Sequence, residues 1–192
     1  MDVMQTGVGY SLTRIARELD SVVDHLVHAD PIALAGFVEL VAEAPRVFVL
    51  GAGRSGLALR MTAMRLMHLG LEVHVVGEVT TPAIGRQDLL LTASGSGTTG
   101  GIVRAAQTAV AAGAVVAAIT TDPDSPLASL ASATITVPAA GKLDRSGEAS
   151  AQYAGSLFEQ TVVVFGDALF HALWMRSGAS ADELWPRHAN IE

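Results

Sequence analysis

Two short stretches of this chain set glycines beside hydroxyl side chains, each just after an apolar run and at the start of a helical pattern. The first is Gly51-Ala52-Gly53-Arg54-Ser55-Gly56. It matches G-x-G-x-x-G, and Glu78, near the end of the next apolar run, stands where a ribose partner would, so the spacing alone fits a dinucleotide fingerprint. The same glycines also suit a plain tight turn from strand to helix. The second stretch is Ser94-Gly95-Ser96-Gly97-Thr98-Thr99-Gly100-Gly101, four hydroxyls and four glycines in eight residues. A helix N-terminus offers unpaired N–H groups and partial positive charge. Ser and Thr hydroxyls there donate to phosphate oxygens, and glycine lets the backbone come close. A dinucleotide site has no need of this second loop, whereas one small phosphorylated ligand uses one loop for its phosphate and the other for the rest. The plainer alternative is that Ser94 to Thr99 only cap the helix.

Other polar patterns carry less. His25 and His28 are spaced i, i+3, and Asp167 and His171 i, i+4. Without a further ligand they read as surface or packing pairs, and no metal site is expected. His74 alternates within an apolar run and says little. The chain has no Cys, which excludes disulfides and thiolate metal sites and suits a reducing compartment.

The elements that must position the loops follow from hydrophobic periodicity. Residues 10 to 43 read as two helices, with Asp30-Pro31 as N-cap and first-turn proline of the second. Strands are expected at 46–50, 72–76, 88–93, 114–120 and 133–137, apolar on both faces as in buried parallel strands. Helices are expected at 55–69, capped by Gly70, at 98–112, and over a short stretch at 125–131. Residues 138–154 form the one long irregular loop, the kind that often carries function. A long helix is expected at 156–176 and a short one at 179–188. The pattern predicts an α/β class, with five parallel strands flanked by helices in a Rossmann-like three-layer sandwich behind an N-terminal helical pair. It is read as one domain over 1–192, with N-terminal helices at 1–43, the parallel core at 46–137 and C-terminal helices at 156–192.

Composition narrows the classes. The 192 residues are 50% hydrophobic but only 5% aromatic and 16% charged. So little charge predicts that part of the surface is covered by copies of the same chain, a homo-oligomer. The net charge of −7, with no Lys/Arg-rich block, argues against nucleic acid. No apolar stretch approaches the roughly 20 residues of a membrane span. The first residues lack the pattern of a secretory signal, so no membrane association and a cytoplasmic location are expected.

The string GAGRSG, then AMRLMHLG, VVGEVTTP, SGSGTT and later FEQ resembles the sugar isomerase (SIS) domain family, and within it the 6-phospho-3-hexuloisomerases. The ending His188-Ala189-Asn190-Ile191-Glu192 is similar as well. The likeness runs from about residue 10 to the last residue, with the motifs in the same order. It implies a five-stranded SIS-type sheet that binds phosphosugars at the C-terminal ends of its strands and assembles as dimers or tetramers. It places the phosphate loop at Ser94, Ser96, Thr98 and Thr99, completed by Gly53, Arg54 and Ser55. The implied reaction interconverts a 3-hexulose 6-phosphate and fructose 6-phosphate, following a hexulose-phosphate synthase in the ribulose monophosphate route of formaldehyde fixation, without redox cofactor or metal.

Moving a carbonyl from C3 to C2 takes a proton from C2 and returns one to C3 through a cis-enediolate, which one carboxylate can do. The resemblance points to Glu159, in the first turn of the long C-terminal helix. The helix dipole there lowers a carboxyl pKa and apolar neighbours raise it. It equally fits an ordinary first-turn glutamate. His188 is the candidate for moving protons between oxygens or opening a sugar ring, from its own or a neighbouring subunit, or else a surface residue of a frayed tail. His68 ranks third, with a core or interface role as its alternative. Where the relatives carry Pro-Met-Gly before the glutamate helix, this chain reads Tyr153-Ala154-Gly155, which bears on which sugar fits. The remaining alternatives are an isomerase of a pentose or heptose phosphate, a non-catalytic phosphosugar sensor, and a dinucleotide-dependent oxidoreductase.

Overall fold

The computed structural model describes residues 7–141, 144 and 146–191. Residues 1–6 of the N-terminal reading, Lys142, Leu143 and Arg145 of the long loop, and Glu192 of the terminal motif lie outside the described residues. Helices α1 (Val8–Ala29) and α2 (Pro31–Glu43) come first, and Asp30 caps α2 by accepting from Ala33 N at 2.8 Å. The core then runs β1 (Val47–Gly51), α3 (Gly53–His68), β2 (Val73–Val75), β3 (Leu89–Ala93), α4 (Gly100–Ala111), β4 (Val115–Thr120) and β5 (Ala133–Thr136). Helix α5 (Ser156–Ser177) and the single-turn α6 (Ala181–Leu184) close the chain.

The five strands pair in parallel in the order β2-β1-β3-β4-β5. Alternate side chains leave opposite faces of the sheet. Val47, Val49, Leu89, Leu91 and Ile119 pack with α1, α2, α3 and α5, while Phe48, Leu90, Val116 and Ala118 pack with α4. Truncating one of these fully buried leucines to alanine costs about 2–5 kcal/mol. Helix α5 comes so close to α3 that a Cβ on Gly166 would overlap the Thr62 hydroxyl, which explains a glycine in mid-helix. The order reverses between β1 and β3, so the crevice beyond their C-terminal ends is a topological switch point, where ligands bind in open α/β sheets.

Several expected elements are shorter than the periodicity suggests. The 125–131 helix is only a 3-10 turn at Ala128–Leu130, because Leu127 N donates to Gly97 O at 3.1 Å, a tertiary bond in place of a helical one. The terminal helix breaks at Pro186 into α6 and a 3-10 turn, Trp185–Arg187. Helix α4 begins at Gly100 rather than 98, since Thr98 N bonds to Ser96 Oγ at 3.3 Å. Among the described residues no single helix is long and apolar enough to cross a membrane.

Candidate active site

Both loops leave the sheet side by side, because Gly51 at the end of β1 is the register partner of Ala93 at the end of β3. In the first loop, a Cβ on Gly56 would lie 2.5 Å from Gly51 O, so strand and helix backbones touch where any side chain would part them. Gly53 has φ +57, a left-handed conformation that glycine adopts freely. Ser55 points inward and is buried, while Arg54 is exposed. In the second loop Gly97 has φ +60, and a Cβ there would collide with the Ser125 side chain. Gly95 O is held by Thr120 Oγ1 at 3.1 Å and Thr121 Oγ1 at 2.8 Å. The hydroxyls form a short chain: Ser94 Oγ lies 3.2 Å from Thr99 Oγ1, and Thr98 Oγ1 donates to Ser96 Oγ at 3.0 Å. Ser96, Thr98 and Thr99 are exposed at the N-terminus of α4, where N–H groups and the helix dipole favour an anion.

Glu159 sits in the first turn of α5 and is only 8% exposed. Its Oε2 lies 3.2 Å from Arg54 Nη1, and the same nitrogen donates to Ser156 Oγ at 3.2 Å. Phe158, its neighbour, packs against Gly95 of the second loop. Three segments distant in sequence thus meet: the two loops, and a nearly buried carboxylate beside a guanidinium.

His68 and His188 meet elsewhere. Their rings stack with centroids 3.9 Å apart, and Trp185 lies against His188 at 4.7 Å. His68 is buried, and its Nδ1 has no hydrogen-bond partner among the described residues. Burial, then His188 and Arg65, hold its pKa below the ordinary imidazole value. His68 ends α3, whereas Arg54 begins it, so within one chain the histidine pair stands about 21 Å from Arg54 along the helix. An open cavity of about 420 Å³ beside this pair is lined by Arg65, Phe170, Trp174, Trp185 and His188, among others. A second cavity of about 230 Å³, lined by Leu26, Val38 and Phe165, is almost wholly apolar and offers nothing to a phosphate.

The remaining polar pairs are local. His28 Nδ1 bonds to Asp24 O at 2.7 Å, and His74 Nε2 to Glu72 at 3.0 Å. Glu78 pairs with Arg60 at 2.7 Å on the outer side of α3. Among the described residues no three His, Asp or Glu side chains are grouped to hold a metal ion.

A model of the SIS domain matches residues 40–165. The chain belongs to the SIS domain family. A 3-hexulose-6-phosphate isomerase of Mycobacterium gastri is 57% identical over 173 residues, covering 90% of this chain and 87% of that protein. A 3-hexulose-6-phosphate isomerase of Bacillus subtilis is 39% identical, covering 77% and 80%. Among solved structures, a hypothetical protein from Methanococcus jannaschii, whose structure infers a molecular function of 3-hexulose-6-phosphate isomerase, superposes with a TM-score of 0.79 at 28% identity, over 95% of this chain and 99% of that one.

The SIS core brings Glu159 against Arg54, beside the loop that carries Ser55. Phe158 ties the second loop, with Ser94, Ser96, Thr98 and Thr99, to the same helix start. It does not bring His68 or His188 there within one chain. Sequence reasoning missed Ser156, which shares Arg54 with Glu159, and Ser125, on which Gly97 closes. Ser156 stands three residues before Glu159 on one helix face, a spacing visible in the sequence once the helix start is known.

Proposed function

We propose that this chain is a 3-hexulose-6-phosphate isomerase, interconverting D-arabino-hex-3-ulose 6-phosphate and D-fructose 6-phosphate, with the whole chain acting as one SIS unit. The observation that carries the reading is the nearly buried Glu159 held at Arg54 beside a hydroxyl-rich helix N-terminus, in a chain 57% identical to a 3-hexulose-6-phosphate isomerase. Ser94, Ser96, Thr98 and Thr99, with the first N–H groups of α4, hold the phosphate. Gly53 and Ser55 border the sugar. Glu159 removes the C2 proton, the C2–H electrons form the C2=C3 double bond, and negative charge passes to the C3 oxygen. Arg54 faces that developing charge, where a fixed cation is most effective. The O2 proton passes to O3, the C2 carbonyl forms, and the proton carried by Glu159 returns to C3.

A second copy completes the site. Leu57, Met61, Met64 and Met67 form an exposed apolar stripe along α3. Two such helices packed antiparallel on this stripe bring the His68 end of one chain to the Arg54 end of the other. His188, stacked on His68, then reaches the neighbour's sugar and moves protons between O2 and O3. The test supplies ribulose 5-phosphate, formaldehyde and a hexulose-phosphate synthase, and follows fructose 6-phosphate by coupled NADPH formation. Product that depends on this protein supports the reading; its absence with active coupling enzymes moves the substrate to another phosphosugar.

A further inference from the structure

Glu18 stands in the middle of α1, outside the segment matched by the SIS domain. Its carboxylate nevertheless reaches across 132 residues of sequence to the loop that leads into α5. Ser150 Oγ donates to Oε2 at 2.7 Å, Ala151 N donates to Oε1 at 3.1 Å, and Gln152 Nε2 donates to Oε2 at 3.1 Å. Arg14, one turn back on α1, stands 3.5 Å from Oε1. The Glu18 side chain is 19% exposed, so these donors replace most of its water. Burial pushes its carboxyl pKa up, but the bonds from Ser150, Gln152, Ala151 and Arg14 together outweigh that and hold it below the ordinary value.

The network continues to the residue that follows the proposed base. Ser150 Oγ also accepts from Gln152 N at 3.0 Å, and Gln152 Oε1 accepts from Gln160 Nε2 at 2.8 Å. Gln160 directly follows Glu159 in the first turn of α5. Successive residues of a helix are separated by about 100°. A tie at Gln160 therefore fixes the rotation of the turn that aims Glu159 at Arg54. Among its described residues the loop carries no helix or strand, and Ala154 takes φ +51, a conformation that an L-residue holds only when its surroundings impose it. Helix α1 supplies the fixed point, since Val22 is buried in the core and Leu19 and Leu26 pack against it.

We infer that Glu18 is a positioning residue: through Ser150, Ala151 and Gln152 it clamps the loop before α5 and sets the orientation of Glu159. The N-terminal helix is then part of the active-site frame. This rests on the isomerase reading, because kcat is one of its readouts. A carboxylate suits the task because it accepts three bonds at once, which no neutral side chain of that length does.

The test compares Glu18→Ala, Glu18→Gln and Gln152→Ala by steady-state kinetics on the hexulose phosphate and by amide exchange of residues 150–160. Clamping predicts that E18A lowers kcat by about 10- to 100-fold, the range for a small displacement of a reacting group, with KM within about threefold. E18Q, which keeps one acceptor, loses less. Adding Q152A to E18A costs little more, since both cut the same chain. Exchange across 150–160 quickens in E18A while the core strands stay protected. A folded E18A with kcat within about twofold of wild type, or a loss that adds independently to that of Q152A, overturns the inference. Where E18A does not fold, Ser150→Ala and Q152A open the clamp without touching α1, and full kcat in that pair overturns it. A wild-type protein that turns over no hexulose phosphate refutes the isomerase reading instead; faster exchange at 150–160 in E18A then upholds the clamp, and unchanged exchange refutes it.

Discussion

Mixing two inactive variants tests whether the site is shared between chains. Glu159→Gln removes the proposed base and His188→Asn the proposed second proton carrier, each expected to cost about 10²- to 10⁴-fold in turnover. Within one chain the two positions are held near opposite ends of α3, about 21 Å apart along its axis. No side-chain movement spans that distance. In a twofold dimer whose site joins Glu159 of one copy to His188 of the other, a mixed dimer holds one doubly damaged site and one intact site. Random exchange makes about half the dimers mixed, so activity rises to about a quarter of wild type. The parents stand near or below 1%, and the gain is therefore at least about 25-fold. Co-refolded protein is assayed by fructose 6-phosphate formation, with native mass spectrometry to count mixed dimers. Activity that stays at the mean of the parents, with mixed dimers present, refutes the shared site.

Glu159→Gln alone keeps the shape and loses the proposed base, so kcat is expected to fall by about 10²-fold or more while phosphosugar affinity by calorimetry changes little. Gly97→Ala combines a left-handed φ, about 1–2 kcal/mol for an L-residue, with overlap on the buried Ser125. It is expected to raise KM for the phosphosugar and lower the melting temperature, and a variant with unchanged values for both would show that the loop gives way freely. His68 carries a depressed pKa in the fold, through burial and the nearby His188 and Arg65. The unfolded chain then binds the extra proton first, so stability is present above about pH 6.5 and is lost as pH falls from there through the lowered value. Denaturant melts from pH 7.5 to 5.5 show a fall in wild type that His68→Gln lacks; an equal fall in both places its source elsewhere.

The strands and both loops were legible because their causes are local. Apolar runs such as Phe48-Val49-Leu50 and Leu89-Leu90-Leu91 mark strands covered on both faces, and glycines mark turns that the backbone requires. The short helix expected at 125–131 failed because its outcome depends on a partner far away, Gly97 O taking the N–H of Leu127. The stacking of His68 on His188 and the clamp on Ser150 by Glu18 join residues 120 or more apart along the chain. No periodicity encodes such pairs; they exist only once α3, α5 and α1 have packed. The placement of Glu159 is legible as a first-turn glutamate, yet its burial and its ion pair with Arg54 are not.

The two parts of the site are held by different means, and that bears on substrate choice. The loop proposed to hold the phosphate is fixed by the sheet it leaves: the left-handed Gly97, the Thr120 and Thr121 hydroxyls on Gly95 O, and the start of α4. On the proposed reading it is indifferent to which sugar carries the phosphate, since it would meet only an anion at a helix N-terminus. Glu159 and the exposed Tyr153 instead come from the loop before α5 and the turn it enters, whose position depends on side chains of Glu18, Gln152 and Gln160. A change of substrate within this architecture therefore needs no alteration of the sheet. It needs only a different loop, because on the proposed reading the carbon that loses its proton is decided by where the carboxylate stands along a sugar whose phosphate end the other loop holds.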